Sequence, residues 1–103
     1  MSAKLLVMYH TPADPAAFDK YYNRTHVALA KKLPGLRSYT ISKGPIASPG
    51  GTSPYHLIAE LTFDSIGAIQ AALGSSEGQA AVADLPNFAS AGVTISMYEM
   101  RAA

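Results

Sequence analysis

The segment YHLIAELTF, residues 55–63, constrains the fold of this 103-residue chain more than any other. Successive side chains of a β-strand point to opposite faces of the sheet. One face of this strand would carry mainly apolar side chains, namely Tyr55, Leu57, Ala59, Leu61 and Phe63. The other face would carry His56, Ile58, Glu60 and Thr62. This alternation predicts a sheet with one face packed on a core and a second face of mixed character.

Three further segments are short, apolar and rich in β-branched or aromatic residues, as strands are. They are Lys4–His10, Leu36–Lys43 and Val93–Met100. The segment KGPIASPGGTSP, residues 43–54, is dense in glycine, proline and serine. We expect it to form a mobile surface loop between the second and third strands.

Two segments carry helix start and stop signals. The first begins at the N-cap Asp14, which a proline follows at the first helical position, and ends at the Pro-Gly pair 34–35. The second begins at residues 64–65, is interrupted at Gly74, and continues after a serine pair to Pro86.

The order of elements is therefore β-α-β-β-α-β, which is the ferredoxin-like motif of the α+β class. It predicts a four-stranded antiparallel sheet with both helices on one face. The length suits one domain, residues 1–103. Because the helices cover only one face, the other, partly apolar face requires a partner. The same face of a second copy is the simplest partner, and it would give a two-fold homodimer with a pocket between the sheets.

Composition and motifs exclude several classes of function. The chain has no cysteine, so disulfides, thiol nucleophiles and thiolate metal sites are excluded. Eight scattered basic residues against seven acidic ones form no basic stripe for nucleic acid. No apolar run approaches the roughly 20 residues that cross a bilayer, and no signal peptide is recognisable, so we expect a cytoplasmic protein without membrane contact. The three histidines show no ligand spacing, so no metal site is predicted, and phosphate-loop and GxSxG motifs are absent.

The first helix places one histidine beside its apolar stripe. On a wheel of about 100° per residue, the stripe consists of Phe18, Tyr22, Thr25, Leu29 and Leu33. His26 lies at its edge, one turn after Tyr22, so we expect a half-buried imidazole that faces an opening. A histidine titrates near neutral pH and is suited to general acid–base catalysis. The alternative is a histidine that fills space and hydrogen-bonds a neighbour.

His56 and Glu60 are candidates on the third strand, on the face predicted to point away from the helices. His56 would be a polar group at the mouth of the pocket, or otherwise an exposed residue at the end of a strand. Glu60 would need a partner if buried, and Arg37, Tyr39 or His56 could serve as that partner. Otherwise it lies in water at the pocket rim.

Of the six tyrosines, Tyr22 and Tyr39 are the ones predicted to face the pocket and contact a ligand. Asn87 follows a proline and is predicted to be a turn residue rather than a ligand.

The segment FDKYYNRTHVALAKKLPGLRSYTI, residues 18–41, resembles the EthD family of small dimeric α+β barrel proteins. YHLIAELTFDS and LGSSEGQAAVADLPNF are similar to the family's second half. Two positions depart from the family pattern: Ala28 stands where proline is usual, and His56 stands where many members have an acidic residue. The second departure gives this chain a potential His26–His56 pair of its own.

The resemblance implies a homodimer with a cavity between sheet and helices that takes a small hydrophobic compound, such as an aromatic, lactone or polyketide-like molecule. It also implies an isomerase, cyclase, dehydratase or monooxygenase-type enzyme that needs no cofactor. His26 would then move a proton beside a carbonyl, and His56 or Tyr39 would hold the developing oxyanion. A non-catalytic binding or accessory protein of a degradative pathway is the alternative. Haem binding through the helix histidine is a third reading, and the absence of tryptophan argues against it.

Overall fold

The computed structural model describes residues 2–103 of the chain. In chain order the elements are β1 (Ala3–His10), α1 (Pro15–Tyr21), a π-helical turn (Tyr22–His26), α2 (Val27–Ala30), β2 (Ser38–Ile41), β3 (Ala47–Ser48), β4 (Gly51–Thr52), β5 (Tyr55–Phe63), α3 (Ile66–Gly74), α4 (Ser76–Asp84), a 3₁₀ turn (Leu85–Asn87) and β6 (Val93–Glu99). None of the helices formed by these residues has the length and apolarity needed to span a bilayer.

Four strands form one antiparallel sheet in the order β2-β5-β1-β6, and the helices cover one of its faces. This confirms the predicted α+β, ferredoxin-like fold. The buried side chains of β1 and β5 alternate with half-exposed ones along both strands. Val7 lies opposite Ala59 and Leu5 lies opposite Leu61, so these apolar pairs line the face beneath the helices.

Side-chain caps fix the helix starts where the sequence predicts them. The carboxylate of Asp14 accepts a hydrogen bond from the backbone N–H of Ala17 at 3.1 Å. The hydroxyls of Ser65 and Ser75 each accept one from the N–H three residues further on, at 3.0 Å. Because Ser75 caps a new helix directly after Gly74, the second helical region is two helices rather than one.

The segment between β2 and β5, predicted as a mobile surface loop, lies at the surface and contains a small hairpin. In this hairpin Ala47 pairs with Thr52 and Ser48 pairs with Gly51. Pro49 and Gly50 form the turn, which suits their backbone preferences. The strand β2 is correspondingly shorter than the predicted 36–43.

A π-helical turn interrupts the first helix and changes which residues are buried. The N–H of Val27 bonds to the carbonyl of Tyr22, five residues earlier. A π turn takes more residues per revolution than an α turn, so residues four apart stay on one face. The buried residues are accordingly Phe18, Tyr22, His26 and Ala30. Thr25, predicted on the apolar stripe, is exposed, and His26, predicted at its edge, lies at its centre with 6 % of its surface exposed.

Gly78 marks the closest approach of α4 to α3. A Cβ atom at this position would lie 2.1 Å from the carbonyl oxygen of Ala72, and the obstacle is backbone. We therefore expect Gly78→Ala to lower the free energy of unfolding by about 1–3 kcal/mol, measured by urea denaturation. Gly74→Ala is the matched control, because a methyl group added at Gly74 would meet no atom within 4 Å. Equal unfolding midpoints for the two variants would contradict this close packing.

Candidate functional site

A cavity of about 90 Å³ lies between the helices and the covered face of the sheet. Its walls are aliphatic side chains of β1, β5, β6, α2, α3, α4 and the turns after α2 and α4. Four further lining residues bear polar groups: Tyr9, Tyr22, His26 and Tyr39. Val82 and Ile95 also line it and are 48 % and 45 % exposed. The cavity therefore reaches the surface beside these two residues, and its mouth is apolar.

His26 is anchored by a buried carboxylate. Its Nδ1 lies 3.0 Å from Oδ2 of Asp84, the last residue of α4. The other carboxylate oxygen, Oδ1, accepts hydrogen bonds from the hydroxyl of Tyr21 at 2.5 Å and from Nδ2 of Asn87 at 3.0 Å. Three donors thus converge on Asp84, which is the arrangement that stabilises a buried ionised carboxylate.

The two partners have pKa values that keep the carboxyl ionised and the imidazole neutral. Burial raises the pKa of Asp84, but the hydrogen bonds from Tyr21, Asn87 and His26 outweigh it and leave the pKa below its ordinary value. Burial lowers the pKa of His26 below 6.5, and Asp84 only partly offsets this. At neutral pH, His26 therefore donates its Nδ1 proton to Asp84 and leaves Nε2 unprotonated.

The second ring nitrogen of His26, Nε2, is not engaged by the described part of the protein. Nε2 has no hydrogen-bond partner among residues 2–103, whereas every fully buried side-chain nitrogen or oxygen there has one. Nε2 is therefore in contact with open space, and His26 lines the cavity. The result is a hydrogen-bond acceptor, unpartnered within the described residues, on a residue that lines an apolar chamber.

Three tyrosine phenols accompany the imidazole. The hydroxyls of Tyr22 and Tyr39 lie 2.5 Å apart. The ring of Tyr9 meets those of Tyr22 and His26 edge to face, with centroids 5.5 and 6.4 Å apart. Burial is the main cause that raises the pKa of all three phenols, so they are neutral hydroxyl groups at the site.

The π-helical turn and the end of α4 position these groups. The turn presents Tyr22 and His26 on the same face of the helix, and Phe88 packs on the imidazole with ring centroids 4.7 Å apart. Asp84 was not predicted from the sequence, and Asn87 was assigned only to a turn. One signal in the sequence could have indicated Asp84. It lies on the same face of α4 as the small buried residues Gly78 and Ala81, and a buried carboxylate needs a hydrogen-bond donor.

His56 lies outside this cavity. Its Nε2 is 2.7 Å from Oδ1 of Asp19, and its ring contacts the edge of Phe18 with centroids 5.2 Å apart. The alternation of side chains along β5 predicted that His56 points away from the helices, but it points toward α1. The reason is that the pairing of β5 with β1 shifts register at this residue. A bulge of this kind redirects a side chain. The structure does not bring His56 together with His26.

Glu60 also lies away from the cavity, on the uncovered face of the sheet. Its side chain is 46 % exposed, and its carboxylate is 3.5 Å from Nζ of Lys4. None of the predicted partners forms an ion pair or hydrogen bond with Glu60: Arg37 pairs with Asp64, Tyr39 with Tyr22 and His56 with Asp19. Within residues 2–103, no group of three or more histidine or acidic side chains is arranged to hold a metal ion.

Sequence comparison relates the chain to one family. The EthD domain profile matches residues 10–92. An uncharacterised 11.0 kDa protein from the thcB–thcC intergenic region of Rhodococcus erythropolis is 40 % identical over 92 residues, covering 89 % of this chain and 88 % of that protein. The crystal structure of an ethyl tert-butyl ether degradation (EthD) family protein from Bacillus halodurans is 35 % identical. It superposes with a TM-score of 0.89 over 98 % of this chain and 100 % of that one.

More distant structures share the fold. A cofactor-independent oxygenase from Streptomyces nogalater, SnoaB, matches with a TM-score of 0.68 at 15 % identity, covering 99 % of this chain and 95 % of that one. A ferredoxin-like protein of unknown function from Thermobifida fusca, described as dimeric, matches with a TM-score of 0.71 at 13 % identity, covering 97 % of this chain and 92 % of that one.

The hydrogen bond from His26 to Asp84 predicts a specific response to mutation. The carboxylate favours the imidazolium, so replacing it with the isosteric amide in Asp84→Asn should lower the pKa of His26 further. The pKa of His26 in the wild type and in the variant is measured by following the imidazole proton signals by NMR as a function of pH. The backbone amide spectrum reports whether the variant keeps the fold. An unchanged or raised pKa of His26 in a folded Asp84→Asn protein would contradict the assignment.

Proposed function

This chain belongs to the EthD family, and we propose that it binds a small, mostly apolar compound in the cavity and removes a proton from it with His26. The observation that carries the proposal is the buried imidazole whose Nδ1 is held by Asp84, whose Nε2 has no partner among residues 2–103, and which lines an apolar chamber. A general base needs this combination of an available lone pair and a fixed orientation.

The proposed step moves one proton and leaves an electron pair on the ligand. Nε2 accepts a proton from an O–H group, or from a C–H group beside a carbonyl, and the bonding pair stays on the ligand as a phenolate or enolate. The imidazolium that forms is stabilised by the carboxylate of Asp84. A hydroxyl of the Tyr22–Tyr39 pair donates to the ligand oxygen as negative charge develops there.

Proton removal is the first step of several reactions that need no cofactor. Isomerisation, ring closure and dehydration all proceed from such an anion. Reaction of an electron-rich anion with O₂ as the oxidant is the oxygenase variant, and SnoaB, which shares the fold, is described as a cofactor-independent oxygenase. The role proposed for His26 is therefore the proton transfer that these reactions share.

A second function, binding without turnover, would use the same apolar lining without the proton transfer, and both functions are limited by the size of the cavity. Its volume of about 90 Å³ is below the roughly 300 Å³ at which ligand pockets usually begin. A ligand larger than a few atoms must displace side chains at the mouth. A protein that only stores or delivers a hydrophobic compound to a neighbouring enzyme would use the same chamber without proton transfer.

We also propose that the working unit is a homodimer joined through the uncovered faces of the two sheets. Leu6 and Met8 of β1 lie on this face with Ile58 of β5, and all three are half-buried within the single chain. The dimeric T. fusca neighbour supports this arrangement at the level of the fold. Ile95 lies opposite Val7 on the other face, so the cavity mouth would stay open in such a dimer.

The proton-transfer proposal predicts hydrogen exchange. Wild-type protein in D₂O should accelerate exchange of the α-hydrogens of cyclohexanone or a small aryl ketone, followed by loss of their ¹H NMR signals. We expect His26→Gln to reduce the rate by about 10²–10⁴-fold, the usual effect of a general base.

His10→Gln is the matched control for this assay. His10 is bonded to Thr94 and does not line the cavity, so the exchange rate of this variant should equal that of the wild type. Equal rates for the His26 and His10 variants would refute the catalytic role. Ligand-induced shifts of the His26 signals without any exchange would favour the binding function.

The dimer proposal predicts the effect of a charge on the uncovered sheet face. Met8→Glu would bury an unpaired carboxylate between the sheets and raise the dimer dissociation constant by about 100-fold or more. Ala71→Glu adds the same charge on the exposed surface of α3 and should leave the dimer intact. Light scattering coupled to gel filtration measures both. A monomeric wild type at micromolar concentration, or a dimeric Met8→Glu, would contradict the proposal.

A further inference from the structure

We infer that the cavity selects an uncharged compound bearing a hydroxyl group on an apolar body, such as a phenol or an enol, and rejects carboxylates of the same size. This inference rests on the proposed function and names the class of ligand for the same site.

The polar end of the cavity carries negative charge. His26 is the group that faces the ligand, and Asp84 stands directly behind it as a buried anion. The other two donors to Asp84, from Tyr21 and Asn87, are neutral. The net charge of the polar end is therefore negative, and it lies in a setting of low dielectric where charges interact strongly.

The cations of the chain lie away from the cavity. No lysine or arginine is among the residues that line it. Lys4 lies on the opposite face of the sheet with Glu60, and Arg37 is exposed and paired with Asp64. An anionic ligand would lose its hydration without gaining a counter-ion. It would also lie near the carboxylate of Asp84, which repels it.

The hydrogen-bonding groups of the site match a hydroxyl. Nε2 of His26 accepts a hydrogen bond. The hydroxyls of Tyr9, Tyr22 and Tyr39 have three protons for the two hydrogen bonds that join them, so one proton remains to donate. A ligand hydroxyl satisfies both sides, because it donates to Nε2 and accepts from a phenol. An ether oxygen can only accept, and an ether has no acidic hydrogen to offer Nε2, which therefore stays unpaired at a cost in an apolar chamber.

The mouth of the cavity agrees with this selection. Val82 and Ile95, the exposed residues beside it, are aliphatic. A ligand therefore enters over apolar surface, and the polar groups meet it only at the inner end. A compound with one hydroxyl at the end of an apolar body matches this distribution of groups.

Two pairs of ligands test the inference, and in each pair one property changes. 4-Methylphenol and anisole are isomers that differ in whether the oxygen carries a proton. Benzamide and benzoate are isosteres that differ in charge. At about pH 7.5 the phenol is neutral and benzoate is ionised. Dissociation constants come from shifts of the His26 imidazole signals in NMR titrations of the wild-type protein.

We expect 4-methylphenol to bind about tenfold or more tightly than anisole, and benzamide about tenfold or more tightly than benzoate. Asp84→Asn removes the buried charge and should narrow the difference between benzamide and benzoate. In Asp84→Asn, 4-methylphenol should still bind more tightly than anisole.

The outcomes separate the inference from the proposed function. Benzoate bound as tightly as benzamide, or anisole as tightly as 4-methylphenol, would overturn the ligand class while leaving His26 in a ligand site. If no compound of either pair shifts the His26 signals, both the ligand class and the proposed function fall. The comparison within the wild type is decisive even where Asp84→Asn does not fold.

Discussion

The buried hydrogen bond between His26 and Asp84 is the interaction on which the rest of the site depends. It joins the π-helical turn to the end of α4 across 58 residues of sequence. A carboxylate in this position must be compensated, and the donors that compensate it come from three places: Tyr21, His26 and Asn87. Holding the carboxylate thus fixes the helices relative to each other and sets the tautomer of the imidazole. A single interaction then serves both packing and chemistry.

The π-helical turn has a comparable double role. In a regular α-helix, residues spaced four apart gradually rotate away from one face. The π turn keeps residues with this spacing buried, so Tyr22 and His26 lie on the same face of the helix, above the sheet. π turns are rare and occur frequently at functional sites. In this chain the turn carries the two helical residues whose polar atoms belong to the cavity. The aliphatic walls around them exclude water, so the imidazole stays neutral and its free nitrogen remains an acceptor.

Local patterns predicted the fold well because burial in strands and helices follows a fixed period. The alternation along β5 holds from Leu57 to Phe63, and the Asp14, Ser65 and Ser75 caps lie where the sequence indicates. The failures have local geometric causes. A shift of register redirects His56, and a π turn moves Thr25 out of the core and His26 into it. Neither irregularity has a signal in a single sequence that is read with regular periods.

The site itself was only half predictable. His26, Tyr22 and Tyr39 were predicted because helix spacing and aromatic character point to them, and the structure brings all three to one cavity. That cavity lies between the helices and the sheet of a single chain, rather than between the sheets of two chains as the sequence predicted. Asp84 was missed because its partner lies on another helix far along the chain, a contact that periodicity does not encode. Glu60 was predicted to belong to the site because a charged residue in an apolar strand needs a partner if it is buried. In the structure it is on the uncovered face of the sheet and pairs with Lys4.

The central claim is that His26 at neutral pH is an uncharged imidazole with its proton on Nδ1. The ¹⁵N chemical shifts of the His26 ring, measured on labelled protein, distinguish the two tautomers and the imidazolium directly. We predict a protonated Nδ1 and an unprotonated Nε2. An imidazolium, or a proton on Nε2 with a bare Nδ1, would contradict the claim, because neither form leaves a base facing the cavity.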